Sequence, residues 1–139
     1  MARRLAGMIA GFAGAEVAVA GIDIGPYRDD QPIRADPAAT TDPRPGVDGR
    51  TVILVDDVMH TGRTIRAALE AVLHCGRPAR VRVAVLVDRG HRELPIRPDH
   101  VGKNLPTSNG ERVSVQLLET DGRDGVFLLP VAANAGAAG

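Results

Sequence analysis

With 139 residues and 14.6 kDa, the chain has the length of one domain with a core of its own. Apolar residues at 44% and charged residues at 24% exclude a disordered tail or a fibrous repeat, and a single cysteine excludes an internal disulfide framework or a cysteine-based zinc cluster. Basic and acidic side chains balance at 17 each, so any attraction to nucleic acid or a membrane has to come from a local patch.

Arg3 and Arg4 precede the apolar run Leu5–Ala15, and Ala18-Val19-Ala20 follows, an order that imitates a signal peptide. Glu16 and the glycines inside the run break that pattern. No uncharged run approaches the roughly 18 residues of a membrane span, so a cytoplasmic protein without membrane contact is expected. Leu5, Met8, Ile9 and Phe12 fall at helical spacing and predict a helix over 3–13. Val17, Val19 and Ile22 predict a strand over about 16–24, stopped by Asp23-Ile24-Gly25-Pro26. From Gln31 to Gly49, Pro32, Pro37, Pro43 and Pro45 leave no periodicity. A stretch of that kind inside a compact domain reads as a flexible binding loop, lid or insert.

Thr51 to Val55 is a continuous β-branched run ending in Asp56-Asp57, the pattern of a strand buried on both faces. After the turn His60–Thr64, Ile65, Ala68, Leu69 and Val72 form a helical stripe, with Gly76 and Pro78 as stop signals. Cys75, near that helix end, reads as a small core residue. Val81–Val87 is a second buried strand, so strand, helix and strand make a βαβ unit and a parallel sheet. The segment 89–110 reads as loop, with Pro95, Pro98 and Pro106. Two late strands, near 111–119 and 125–129, flank Asp121–Gly125, which reads as a hairpin turn. The expected organisation is one α/β domain over 1–130 and a disordered tail over 131–139.

The chemistry concentrates in Val52–Thr64. A buried strand delivers two adjacent carboxylates at its C-terminal end, where open α/β sheets bind ligands. Such a pair repels and resists desolvation, so ligand hydroxyls or a metal must compensate. A few residues on, Thr61-Gly62-Arg63-Thr64 opens a helix whose unpaired N–H groups and positive dipole end suit an anion. Gly62 admits close backbone approach. Carboxylates beside a phosphate cradle describe a site for a ribose 5-phosphate group. No lysine follows the glycine, so this is not a Walker A loop. His60 and His100 read as isolated, structural histidines.

The run Val52, Ile53, Leu54, Val55, Asp56, Asp57, Val58, Met59, His60, Thr61, Gly62, Arg63, Thr64 resembles the phosphoribosyl-pyrophosphate (PRPP) motif of type I phosphoribosyltransferases. Residues 86–108, LVDRGHRELPIRPDHVGKNLPTS, together with Tyr27-Arg28-Asp29-Asp30, resemble the bifunctional pyrimidine operon attenuator and uracil phosphoribosyltransferase (PyrR) family, and the similarity runs over about 2–129. The resemblance implies a type I phosphoribosyltransferase fold, a Rossmann-like parallel sheet flanked by helices with a small hood. It implies transfer of phosphoribose from PRPP to uracil, giving UMP and pyrophosphate with Mg2+, and UMP- or UTP-responsive binding of pyrimidine operon leader RNA by a homo-oligomer, dimer or larger. A non-catalytic nucleotide-sensing regulator, a purely enzymatic protein and an inactive fragment are the alternatives.

Carried over by residue, the resemblance gives Asp56 and Asp57 the ribose hydroxyls and, through PRPP, the metal. Thr61–Thr64 would take the 5′-phosphate. Arg34 and Arg28, on or at the root of the 31–49 loop, would act on the pyrophosphate as the loop closes. Val87, Asp88, Arg89 and Gly90 would form the base pocket through backbone contacts. His91, Arg92, Arg97 and Lys103 fall on the family's RNA-contacting face within the 86–108 hood region. Members of the family usually begin with a further segment carrying a basic helix, a central strand and a Thr-Arg-Gly turn, and Met1–Ala13 matches the helix that follows it. An N-terminally truncated domain with little transferase activity is therefore expected. Gly25-Pro26 and Met59-His60 also depart from the family's common residues.

Overall fold

The computed structural model describes residues 1–30 and 46–131. The expectations for Arg34, for most of the 31–49 loop and for the tail beyond Val131 lie outside the described residues.

The centre is a βαβ unit of β1 (Thr51–Met59), α2 (Arg63–His74) and β2 (Arg80–Asp88). The strands pair in parallel, with Leu54 beside Val83, Asp56 beside Val85 and Met59 beside Asp88. Ile65, Ala68 and Val72 recur on one face of α2 and bury against Leu54, Met59, Val83 and Val85. Each fully buried Val, Ile, Leu or Met side chain contributes about 1.5–3 kcal/mol, so this contact fixes the helix and strand ends that form the site. A second stripe of small residues, Ala67 and Ala71, lets a 3-10 turn, Gly25–Tyr27, pack close. The Tyr27 hydroxyl meets His74 Nδ1 at 3.0 Å, and Arg66 donates to the Tyr27 carbonyl. Cys75, expected in the core, is exposed beyond the end of α2, where its thiol donates to the Ala71 carbonyl.

The stretch expected to be loop contains a third strand, β3 (His100–Asn104), parallel to β2. It has little apolar character because it is an edge, exposed at every residue but Val101, and Lys103 is the kind of charge that protects one. Gly102 is needed there, since a Cβ would come within 2.7 Å of the Leu86 carbonyl oxygen. Asp99 locks the register by accepting from the Val83 amide at 2.8 Å. The late strands, β4 (Glu111–Gln116) and β5 (Gly125–Pro130), pair antiparallel in a separate small sheet. Their link is not the simple hairpin turn expected but a single helical turn, α3 (Leu118–Asp121), closed by Gly122 at φ 74°. Arg4, on the opening helix α1 (Ala2–Ala13), bonds Glu119 and Asp124 and so joins that helix to the small sheet.

The strand expected over 16–24 does not form. A strand exists through its ladder, and this stretch has none among the described residues. Val17, Val19 and Ile22 instead line, together with Val52–Asp56 of β1, a cavity of about 660 Å³. Ile22 and Ile24 still pack on the core. Among the described residues no helix is long and apolar enough to cross a membrane.

Candidate functional site

Successive strand residues face opposite sides of a sheet, so Asp56 and Asp57 diverge near the C-terminal end of β1. Asp56 is half-buried and Asp57 exposed. Each carboxylate accepts from the next amide in the chain, Asp56 from Asp57 N at 2.9 Å and Asp57 from Val58 N at 2.7 Å. Burial pushes Asp56 up to about 6; the Asp57 amide opposes this, and the Asp57 charge adds a smaller upward push. Desolvation therefore outweighs the mutual repulsion that the sequence suggested.

The turn after β1 leads into α2 through Gly62, buried and at φ 93°, a conformation that favours glycine. Its carbonyl accepts the first helical bond, from Arg66 N at 3.0 Å, and no side chain bonds as an N-terminal cap. The first opening amide, Arg63 N, donates to Thr61 Oγ1 at 3.3 Å, and the helix start presents its further amides and its positive dipole end to an anion. The Thr61 carbonyl accepts from the amides of Glu93 and Leu94, which seats the turn on the chain after β2. The guanidinium of Arg63 is not turned to a ligand. It is bonded to Asp29 at 2.6 Å and to Glu93 at 2.7 Å. Arg28 likewise pairs with Asp30, at the last described residue before the 31–45 segment.

Across the sheet, the expected base segment is saturated with internal bonds. Val87 is fully buried, and Arg89 is buried with its guanidinium donating to Thr107 Oγ1 at 3.0 Å and to the Glu111 carbonyl. Asp88 accepts from Gly90 N at 3.0 Å and from Arg92 at 2.6 Å. Burial raises the Asp88 carboxyl, but the Arg92 bond and the Gly90 amide prevail and hold it below the usual range. Arg89 N donates to the Met59 carbonyl at 3.0 Å, so this segment abuts the end of β1. Much of the backbone is bonded as well: the Asp88 carbonyl accepts from Leu105 N at 2.8 Å, the Arg89 carbonyl from Thr107 Oγ1 at 3.2 Å, and Gly90 N donates to Asp88.

The four residues expected on an RNA face divide. Arg97 and Lys103 are exposed. Arg92 is half-buried, joined to Asp88 and to the His60 carbonyl at 2.7 Å, and the His91 ring donates through Nε2 to the Thr107 carbonyl. His60, expected to be isolated, packs edge to face on His91 with ring centroids 5.8 Å apart. The sequence reading missed this ring pair and the Asp29–Arg63–Glu93 bridge. Aligning the two apolar runs so that Met59 meets Asp88 sets 60 level with 89, two residues from 91.

Among the described residues no group of three or more His, Cys, Asp or Glu side chains could hold a metal by itself. Two hard carboxylates beside an anion cradle fit Mg2+ that arrives with a phosphorylated ligand, since Mg2+ is commonly held by one or two carboxylates plus substrate phosphates.

A model of the phosphoribosyl transferase domain matches residues 1–120. The bifunctional protein PyrR of Chloroflexus aurantiacus is 55% identical over 136 residues, 96% of this chain and 75% of that one. The bifunctional protein PyrR of Corynebacterium glutamicum is 57% identical over 131 residues, 92% of this chain and 68% of its own length. Among solved structures, a hypoxanthine phosphoribosyltransferase from Trypanosoma cruzi, in complex with the product IMP, matches 53% of this chain and 38% of that one, at 29% identity and a TM-score of 0.44.

Proposed function

Because this chain belongs to the phosphoribosyl transferase family, and within it to the bifunctional PyrR proteins, we propose that it binds PRPP and uracil, forms UMP, and answers pyrimidine nucleotides by binding operon leader RNA. The fold is the type I phosphoribosyltransferase fold, a parallel sheet with helices and a small antiparallel hood. In the reaction the N1–C1′ bond of UMP forms, the bond from C1′ to pyrophosphate breaks, and the N1 proton leaves. Asp56 and Asp57 accept the ribose hydroxyls, and Asp57 stabilises positive charge developing on the sugar. The open amides of α2 hold the 5′-phosphate with the Thr61 and Thr64 hydroxyls. Arg28 and Arg34 act on the pyrophosphate, and the backbone of 87–90 reads the uracil edge. Mg2+, when bound with PRPP, neutralises pyrophosphate charge, and Asp56 and Asp57 hold it through the ligand.

Arg97 and Lys103 supply the exposed charge for RNA, while Arg92 and His91 support the base segment from behind. The proposed homo-oligomer has an apolar stripe to use, since Met8, Ile9 and Phe12 of α1 are exposed, Phe12 at 95%. The proposed location is the cytoplasm.

One observation carries the reading: paired carboxylates near the end of β1, followed across a short turn by a helix that opens on Gly62. Calorimetry with PRPP and UMP in the presence of magnesium tests it. A charge-assisted hydrogen bond contributes about 1.5–3 kcal/mol, so Asp57→Asn should weaken PRPP about tenfold or more with the circular dichroism spectrum intact. Unchanged affinity in that variant would remove the ribose assignment.

A further inference from the structure

We propose that His60 is the specificity-determining contact for the base, an aromatic platform on which the pyrimidine stacks; this deepens the phosphoribosyl reading of the site and rests on it. Rings are scarce in this chain, with one Tyr, two Phe, four His and no Trp. Tyr27 packs on His74 beside α2, Phe12 lies near the end of α1, and Phe127 on β5 sits under Arg123. His100 opens β3 beside Ala84, midway along β2, on the strand farthest from β1. His60 and His91 are the rings left at the end where the carboxylates and the anion turn converge.

Residue 60 also stands where the two halves of the site are joined. It follows the last residue of β1 and precedes Thr61, and its carbonyl accepts from Arg92 at 2.7 Å. The charged and titratable groups that act on its ring are Arg89, His91, Arg92 and Glu93, all on the chain leading away from β2. The ring packs on His91 at 5.8 Å between centroids, which sets it against that chain. A nucleotide with its ribose on Asp56 and Asp57 and its phosphate at the opening of α2 would extend its base over that same chain.

The platform is exposed yet held in place. His91 adopts φ 62°, its Nε2 donates to the Thr107 carbonyl, and its ring meets His60 at 76°. A ring already fixed loses little side-chain freedom when a base lands on it. Partial desolvation and the neighbouring Arg89, His91 and Arg92 hold His60 below the ordinary histidine range, with Glu93 opposing.

Titrating the full chain with UMP and with ribose 5-phosphate measures the share of affinity that the base supplies, as the ratio of the two dissociation constants. His60→Ala should shrink that ratio about tenfold. His60→Tyr should keep most of it, and His91→Ala, which removes the prop but not the platform, should shrink it less. An equal loss for both ligands in His60→Ala would make His60 a support for the turn and overturn the proposal. A ratio left unchanged would also overturn it, with the ribose–phosphate reading still standing. Failure of the unsubstituted chain to bind UMP would overturn both.

Discussion

Around Gly62 the helix start is held by one long side-chain bond, Arg63 N to Thr61 Oγ1 at 3.3 Å, whereas from Asp88 to Arg92 the carboxylate, both guanidinium groups and the His91 ring are all bonded internally. The two stretches abut, since Arg89 N donates to the Met59 carbonyl and the Thr61 carbonyl accepts from Glu93 and Leu94. In the proposed reading their chemistry differs because one takes the phosphate and the other the base. A phosphate is recognised by charge and by converging donors, which a helix start supplies from backbone alone. A flat base needs a rigid edge at a fixed height, and rigidity here comes from side chains bonded behind the backbone. The phosphate half should therefore be sensitive to backbone geometry, and the base half to buried side chains that touch no ligand.

The largest expected effect breaks the second half. Arg89 is 8% exposed, and its guanidinium joins the base segment to Thr107 and Glu111. Arg89→Met keeps the length of the side chain but leaves those acceptors without a donor. Losing a charged, buried bond of this kind costs on the order of 2–4 kcal/mol. Urea denaturation should show that loss, and amide exchange should quicken over 87–91 before it quickens in β1. Unchanged stability would mean that the segment is rigid for another reason.

Asp56 gives a smaller, pH-dependent contrast on the phosphate side. Its pKa is raised from 3.8 to about 6, mainly by burial. An acid shifted upward by folding favours the folded state most when protonated. Its contribution is fully present below the ordinary aspartate pKa and is lost as pH rises through about 6. Ribose hydroxyls reverse the preference, because they donate to the carboxylate. Affinity for UMP should therefore rise with pH through that range, while the stability of the free protein due to this group falls. The nucleotide's own phosphate titrates near pH 6 as well, so the informative quantity is the difference from Asp56→Asn. A pH profile of binding identical in that variant would detach Asp56 from the ribose.

The same contrast explains what could be read from the sequence. β1, α2 and β2 were legible because their apolar runs and stripe are set by burial within one βαβ unit. The anion turn was legible because Gly62 and its flanking threonines carry it locally. β3 was not: His100–Asn104 is an edge strand whose pairing depends on Gly102 clearing the Leu86 carbonyl and on Asp99 holding Val83, and neither relation leaves a periodic trace. The stretch 16–24 has the alternation of a strand but lines a cavity, since alternation records which side chains avoid water and not which backbone lies alongside. Arg63 and Arg92 carried the charge expected of ligand contacts, yet each is held by carboxylates distant in sequence or one helical turn away in number. Partners of that kind appear only once the fold is known.

The smallest expected effect separates the arginine that supports the site from the cations that face outward. Arg92 bonds Asp88 and the His60 carbonyl, with both partners of the ion pair largely screened from water. Arg97 and Lys103 are exposed and form no ion pair among the described residues. If RNA lies across this face, each exposed cation that touches a phosphate adds about 0.7 to the slope of log affinity against log salt for a single strand. Arg97→Gln and Lys103→Gln should each flatten that slope by about this amount while UMP binding stays as it was. Arg92→Gln should do the reverse, weakening UMP by loosening the join between the halves and leaving the slope nearly unchanged. Filter-binding titrations at several salt concentrations, run beside UMP calorimetry, distinguish the two patterns. A slope that survives loss of both exposed cations would move the RNA contact to another face, whereas a flattened slope in Arg92→Gln with UMP affinity intact would place Arg92 with the outward-facing pair.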